Sequence, residues 1–235
     1  MNSGPLLFLG IFATLASSFW GLLLVPQLQL GRQGQVVNPA TSALYPQPRS
    51  GLAKQGAEIY RSLGCVECHS QQVRGSGGDI PQWHWGPRIS VAQDYLGDYP
   101  VLLGAQRIGP DLANIGLRQT NSNTLLQHLY NPQLTQPGSM MPSYQFLFER
   151  KTLREGEKPS PDAVMLELNS ALPRYEVIPG PDAVALASYL ISLHSDAPLY
   201  EAPAPKGSSG VPAPTSSTNA PLTNAGPAPT PAPAQ

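Results

Sequence analysis

Cys65-Val66-Glu67-Cys68-His69 is the pattern that leaves this chain the fewest options. It holds both of the chain's cysteines and sets an imidazole directly behind them. Three chemistries use two thiols three positions apart. A redox dithiol of the thioredoxin kind wants a preceding strand and a βαβ unit, and the flanking residues show neither. A zinc site needs two further ligands at tight spacing, and there is no second cysteine pair. Covalent haem attachment needs this pattern itself, with both sulfurs as thioethers, the histidine on iron, and a sixth ligand from elsewhere. The third reading is favoured. With both sulfurs used, no disulfide framework is left to staple the fold.

The flanks narrow the setting. A formal charge of −1 points to no nucleic-acid partner. Only 12% of residues are charged, and 27 Pro and 22 Gly are present, which suits a loop-rich body with extended flanks. Leu6 to Val25 is apolar and uncharged, and at ~1.5 Å per residue it spans ~30 Å, one bilayer core. Residues 1–28 are therefore read as a transmembrane anchor with Trp20 towards the interface. A cleaved signal peptide is the rival, opposed by the length of the run and the lack of a basic leader. Arg32 after the span gives little orientation, so orientation follows from the haem motif, whose covalent attachment belongs to the periplasmic side. Residues 29–50 read as a polar linker. Residues 197–235, rich in Pro, Ala, Ser and Thr, read as a disordered tail, because so little apolar surface cannot offset the entropy of ordering.

Residues 51–196 are the globular part. Gly51 to Gly64 has helical periodicity through Leu52, Gly56, Ile59, Tyr60 and Leu63. Gly56 is costly inside a helix, which predicts a close crossing with a second helix, Pro181 to His194, whose apolar face is read as Val184, Ala187, Leu190 and Ile191. Two more helices are expected, Asn123 to Tyr130 behind polar caps and Pro161 to Leu172 behind Ser160. No strand pair stands out. The fold expected is all-α with long loops.

His69 is the first axial ligand by position. For the second, Met140, Met141, Met165, His84, His128 and His194 are candidates. Pro142 pushes Met141 towards extended backbone, and successive extended residues point opposite ways, so one of the Met pair faces iron; Met141 is preferred. Met165 reads as core packing, and His194 as a helix-end cation. A metal-bound histidine donates its other ring N–H to an acceptor, and the carbonyl of Pro110, in Arg107-Ile108-Gly109-Pro110, is the candidate. Arg74 and Arg107, with Arg88 and Arg118 behind them, are candidate partners for haem propionates.

GAEIYRSLGCVECHSQQVR, then DYLGDYPVLLGAQRIGPDLANIG, then HLYNPQLTQPGSMMPSYQFL, resemble the mono-haem subunit II of cbb(3)-type cytochrome c oxidases, within the C family of haem–copper oxidases. The gap between His69 and Gly109-Pro110-Asp111-Leu112 carries most of the likeness, which is sharpest from 56 to 148. The chain departs from the family at Leu103, where Trp is common, and in its tail. The resemblance implies a class I cytochrome c domain on one anchor, one covalent haem c, Met141 as sixth ligand and Pro110 as the acceptor for His69. It implies a single-pass protein of the bacterial inner membrane with its domain in the periplasm. It also implies partnership with a haem–copper catalytic subunit and a sister cytochrome c subunit, and a soluble cytochrome c is a further candidate donor. The chain would move electrons and not be catalytic alone. A membrane cytochrome of a nitric oxide reductase, or a free-standing carrier, shares the local pattern; a haem enzyme or gas sensor would need the sixth position open.

Overall fold

The computed structural model describes residues 3–31, 33–39, 41–75, 78–80, 84–154, 156–166 and 175–202. At the N-terminus α1 (Gly4–Phe19) and α2 (Val25–Leu30) join through a π-helical turn, Trp20–Leu24, into one rod of 27 residues, Gly4–Leu30. At the usual helical rise this is about 40 Å, more than a hydrocarbon core of about 30 Å requires. None of its residues is buried. A core helix this apolar would be covered by the rest of the chain, so length, composition and exposure together fit a membrane anchor.

The segment expected as a linker carries structure. β1 (Val36–Val37) pairs antiparallel with β2 (Leu44–Tyr45), and Tyr45 is only 6% exposed. Its hydroxyl donates to Asp94 at 2.7 Å. Asp94 is paired at 2.7 Å with Arg88, itself fully buried, and Arg88 Nε donates to the carbonyl of Ala197 at 2.6 Å. Buried charges survive only when paired and hydrogen-bonded, and this pair ties three distant segments together. Tyr45, Ala197 and Leu199 form a small apolar cluster beside it. The expected tail therefore begins inside the packed body, and its residues 203–235 lie outside the described residues.

α3 (Gly51–Ser62) starts where the Ser50 hydroxyl accepts from the amide of Ala53 at 3.2 Å. Further on come two short helices, α4 (Ile115–Arg118) and α6 (Pro132–Thr135), with the nine-residue α5 (Ser122–Tyr130) between them. α7 (Pro181–Ile191) is the last helix. α3 and α7 cross at Gly56, where a Cβ would stand 2.0 Å from the Ala185 carbonyl oxygen and 2.7 Å from Tyr189 Cβ. Only glycine lets the backbones approach so closely, which explains its place mid-helix despite its propensity. Tyr60 and Tyr189 meet edge to face beside it, centroids 5.4 Å apart. α7 buries Ala183, Ala185, Leu186, Ala187, Tyr189 and Leu190, while Val184 faces outward. The single face expected from sequence is corrected: α7 is buried nearly all round, as a helix at the centre of a core is.

The all-α expectation is also corrected. The body is mainly helical but contains a second antiparallel ladder, β3 (Phe148–Thr152) with β4 (Tyr175–Pro179), in register from Phe148↔Pro179 to Thr152↔Tyr175. Residues 161–166, expected to begin a helix, form a turn and extended backbone; the amide of Val164 donates to the carbonyl of Val177 at 2.8 Å, beside β4. Residues 167–172 of that expected helix lie outside the described residues. Met165, expected in the core, is 71% exposed. Glu176 holds the ladder's edge by accepting from the amide of Ser160 at 2.5 Å, its hydroxyl at 3.0 Å and Lys151 at 3.1 Å.

Candidate functional site

Directly after α3 the chain coils into a 3₁₀ turn, Cys65–Glu67. Amides of Cys68 and His69 both donate to the carbonyl of Cys65, at 3.2 and 3.0 Å. This tight coil brings both thiols and the imidazole close together. Cys65 is buried, Cys68 is half-buried, and both are free thiols. Burial pushes the Cys65 thiol up from its ordinary value.

His69 is clamped on two sides. Its Nδ1–H donates to the carbonyl of Pro110 at 2.8 Å; a carbonyl only accepts, so the tautomer is fixed and the Nε2 lone pair is left free. Gly109 lies flat against the ring. A Cβ there would stand 2.2 Å from Cε1, and the Gly109 amide donates to the Cys68 carbonyl at 3.0 Å. Burial lowers the pKa of His69, which keeps the ring neutral at pH 7. A neutral imidazole with one nitrogen held and the other bare is a metal ligand ready to use.

A polar web fixes this wall. Asp111, fully buried, accepts from the Ser70 hydroxyl at 2.6 Å and from the amides of Gln72 and Ala113 at 2.8 and 2.9 Å. Arg107 donates to Ser70 Oγ at 2.8 Å, to the Gln72 carbonyl at 2.6 Å, and to both oxygens of Asp79 at 2.8 Å. Four of its five N–H groups are thus engaged inside the protein, which sets Arg107 as a clamp between loops and not as a free fork for a carboxylate from outside. Arg88 is buried against Asp94, and Arg118 donates to the carbonyls of Trp85 and Asp111. Arg74 is the exposed one of the four.

The other candidate ligand lies on the loop after α6. Met141 packs half-buried against the core cluster that contains Cys65 and Leu112, while Met140 is 83% exposed. Tyr144 packs against the same cluster as Cys65, and its amide donates to the Leu129 carbonyl at 2.9 Å. Burial, with the Cys65 sulfur, pushes the Tyr144 phenol up to about 12. Sequence reasoning passed over Tyr144, Gly109 and the Asp111 hub; each sits within three residues of a candidate it did single out.

The remaining candidates divide. His84 is exposed with φ of 52°. His194 pairs with Asp196 at 3.5 Å at the surface. His128, on α5, bonds Thr135 and lies near enough to His69 for a charge on one to disfavour a charge on the other, so it belongs to the site's neighbourhood.

Among the described residues no three His, Cys, Asp or Glu side chains converge to hold a bare metal ion. One imidazole and one thioether cannot complete a coordination sphere alone. They fit a metal that arrives with four equatorial nitrogens of its own, a haem, with two thiols beside it for covalent anchoring. The family model described as "Cytochrome C oxidase, mono-heme subunit/FixO" matches residues 5–170. A search of curated proteins found no match to the chain.

Proposed function

The chain belongs to the mono-haem subunit (FixO) family of cbb(3)-type cytochrome c oxidases, and from that premise we propose that it holds one haem c through Cys65, Cys68, His69 and Met141. The family makes it an electron-transfer subunit of a membrane oxidase complex that has a catalytic partner. In the proposal Cys65 and Cys68 would anchor the haem as thioethers, His69 Nε2 and the Met141 sulfur would ligate its iron, and the Pro110 carbonyl holds the His69 ring. Arg74 is the arginine left to meet a propionate. When bound, the haem supplies a one-electron ferrous/ferric couple, and thioether ligation favours a raised potential.

The observation that carries this reading is the His69–Pro110 hydrogen bond at 2.8 Å, which fixes the free nitrogen one residue after Cys68; Met141 packs against the cluster that holds Cys65. The protein's work is positional. Gly109 and Pro110 hold the imidazole, the Asp111–Arg107 web holds the loop behind it, and the Met141 loop would supply the thioether. Held by two ligands from this chain, the haem would carry electrons and leave oxygen reduction to the haem–copper partner. The anchor Gly4–Leu30 keeps the chain in the bacterial inner membrane, with the haem domain in the periplasm. A sister cytochrome c subunit or a soluble cytochrome c is the proposed donor.

Purifying the chain from membranes and denaturing it tests this directly. The polypeptide is expected to stay coloured, to be heavier than the bare chain by one haem, and to give a c-type pyridine haemochrome; Cys65→Ala with Cys68→Ala should lose all three. A colourless chain of bare mass would overturn the proposal.

A further inference from the structure

From Gln119 to Phe148 the chain runs 30 residues without Asp, Glu, Lys or Arg, although such residues make up 12% of the whole. That stretch includes the Met141 loop, and it is not hidden. Met140 is 83% exposed, Phe146 70% and Leu134 42%. By contrast α3, where Leu52 is exposed, also carries Lys54, Glu58 and Arg61 within ten residues. The uncharged stretch also reaches the motif's surroundings. Tyr144 packs against the core cluster that contains Cys65, and its ring lies 5.9 Å from that of Phe146, centroid to centroid. Tyr144 thus stands between the cluster around Cys65 and an aromatic ring in solvent.

Two kinds of interface differ in composition. Carriers that meet by diffusion use complementary charge to steer encounter. Permanent interfaces are larger and more apolar, and interface cores are poor in charge and enriched in Met and aromatic residues. Met140, Phe146 and Leu134 within an uncharged stretch have the second composition. A chain with its own anchor also meets its partner within the membrane plane and needs no long-range steering.

We propose that the face carrying Leu134, Met140 and Phe146 is the permanent docking surface for the oxidase's catalytic subunit, which presents an uncharged apolar surface to it. Electrons leave the chain through this face at Phe146. Each transfer moves a single electron, oxidising the iron held by this chain by one and reducing a metal centre of the partner by one, with no atom exchanged. This rests on the function proposed above.

The test uses the whole detergent-solubilised oxidase, with Phe146→Glu and Met140→Glu made separately. Both positions are exposed enough to accept a carboxylate in the free subunit, whereas burying an unpaired charge in an apolar interface is costly. Each variant is expected to reduce the amount of this chain retained with the catalytic subunit on gel filtration roughly ten-fold or more. Leu52→Glu should leave retention unchanged. Wild-type retention should be equal at about 50 and about 500 mM salt, because an uncharged interface is not screened. Undiminished retention of both glutamate variants, or loss of the wild-type subunit at high salt, overturns the docking face. Haem content is measured on the same material: a chain without haem refutes the site assignment, while retention of the variants still decides the face.

Discussion

His69 and Met141 stand on walls built in opposite ways. The His69 wall has a buried carboxylate, Asp111, at its centre, with Ser70, Gln72, Ala113 and Arg107 gathered on it. The Met141 wall is a Gly/Pro loop in which the Met141 amide donates to Ser139 Oγ at 3.2 Å and the Gly138 amide to Gln133 at 2.9 Å, both within the loop and its short helix. One wall is cross-linked by charge-assisted hydrogen bonds between residues about forty positions apart; the other is tied mostly to itself. A change in the first should therefore spread through the fold. A change in the second should stay local and alter the ligand while sparing the body.

The largest effect tests the first half of that contrast. Asp111→Ala removes the shared acceptor and leaves the Ser70 hydroxyl and the amides of Gln72 and Ala113 without it. Arg107 keeps its pair with Asp79, but each buried donor left unsatisfied costs about 1–3 kcal/mol, and several together are a large share of a domain's whole stability. The expected result is a fall in yield of folded, haem-loaded protein and a lower thermal midpoint. A variant as stable as the parent would show that the web is not what holds this wall.

Gly109→Ala probes the same wall without touching its charges. Its methyl would stand 2.2 Å from His69 Cε1 and 2.7 Å from Nδ1. The ring must turn, and the 2.8 Å bond to Pro110 must lengthen or break. Overpacking of this kind costs about 1–3 kcal/mol. The chain should still fold, with its haem spectrum showing a displaced or heterogeneous axial histidine. An unaltered spectrum would mean that the backbone yields and the ring does not.

Met141→Ala addresses the second wall. Truncating a half-buried Met should cost only about 1–2 kcal/mol, so the body stays folded and haem stays attached. The sulfur-to-iron absorption band should vanish, and reduced protein should gain carbon monoxide binding at neutral pH. A bis-histidine spectrum would instead show His128, already near His69, swinging in, and Met141→Ala with His128→Ala would then open the site. An unchanged band removes Met141 as the ligand.

The two walls also differed in how well the sequence announced them. Cys65, Cys68, His69 and Pro110 were legible because a tight coil and one carbonyl contact are written in short motifs, and Gly56 foretold the α3–α7 crossing because a glycine mid-helix needs a reason. The Asp111 hub was not legible, since its partners lie at positions 70, 72 and 107 and nothing in one sequence pairs them. Ladder β3–β4 was missed for a related reason. Phe-Glu-Arg-Lys-Thr buries only Phe148, so it lacks the alternation that marks a half-buried strand, and its partner lies beyond a long insertion. The same partner overrode the helical pattern from Pro161, where Val164 donates to β4. The apolar face assigned to α7 was right at Ala187 and Leu190 and wrong at Val184, because the buried surface wraps round the helix to Ala183, Ala185, Leu186 and Tyr189.

The smallest effect is the sharpest control on the looser wall. Met140 and Met141 are adjacent and chemically identical, and they differ only in where the loop turns them: Met140 is 83% exposed, and Met141 is packed against the core. In the isolated subunit Met140→Ala should change stability by no more than about 0.5 kcal/mol, as surface substitutions do, and should leave the sulfur-to-iron band and the reduction potential where they were. If Met140→Ala removes the band and Met141→Ala preserves it, the loop has turned the other way around Pro142. The wall would then be loose enough to exchange one thioether for its neighbour, a freedom that the web around Asp111 denies to His69.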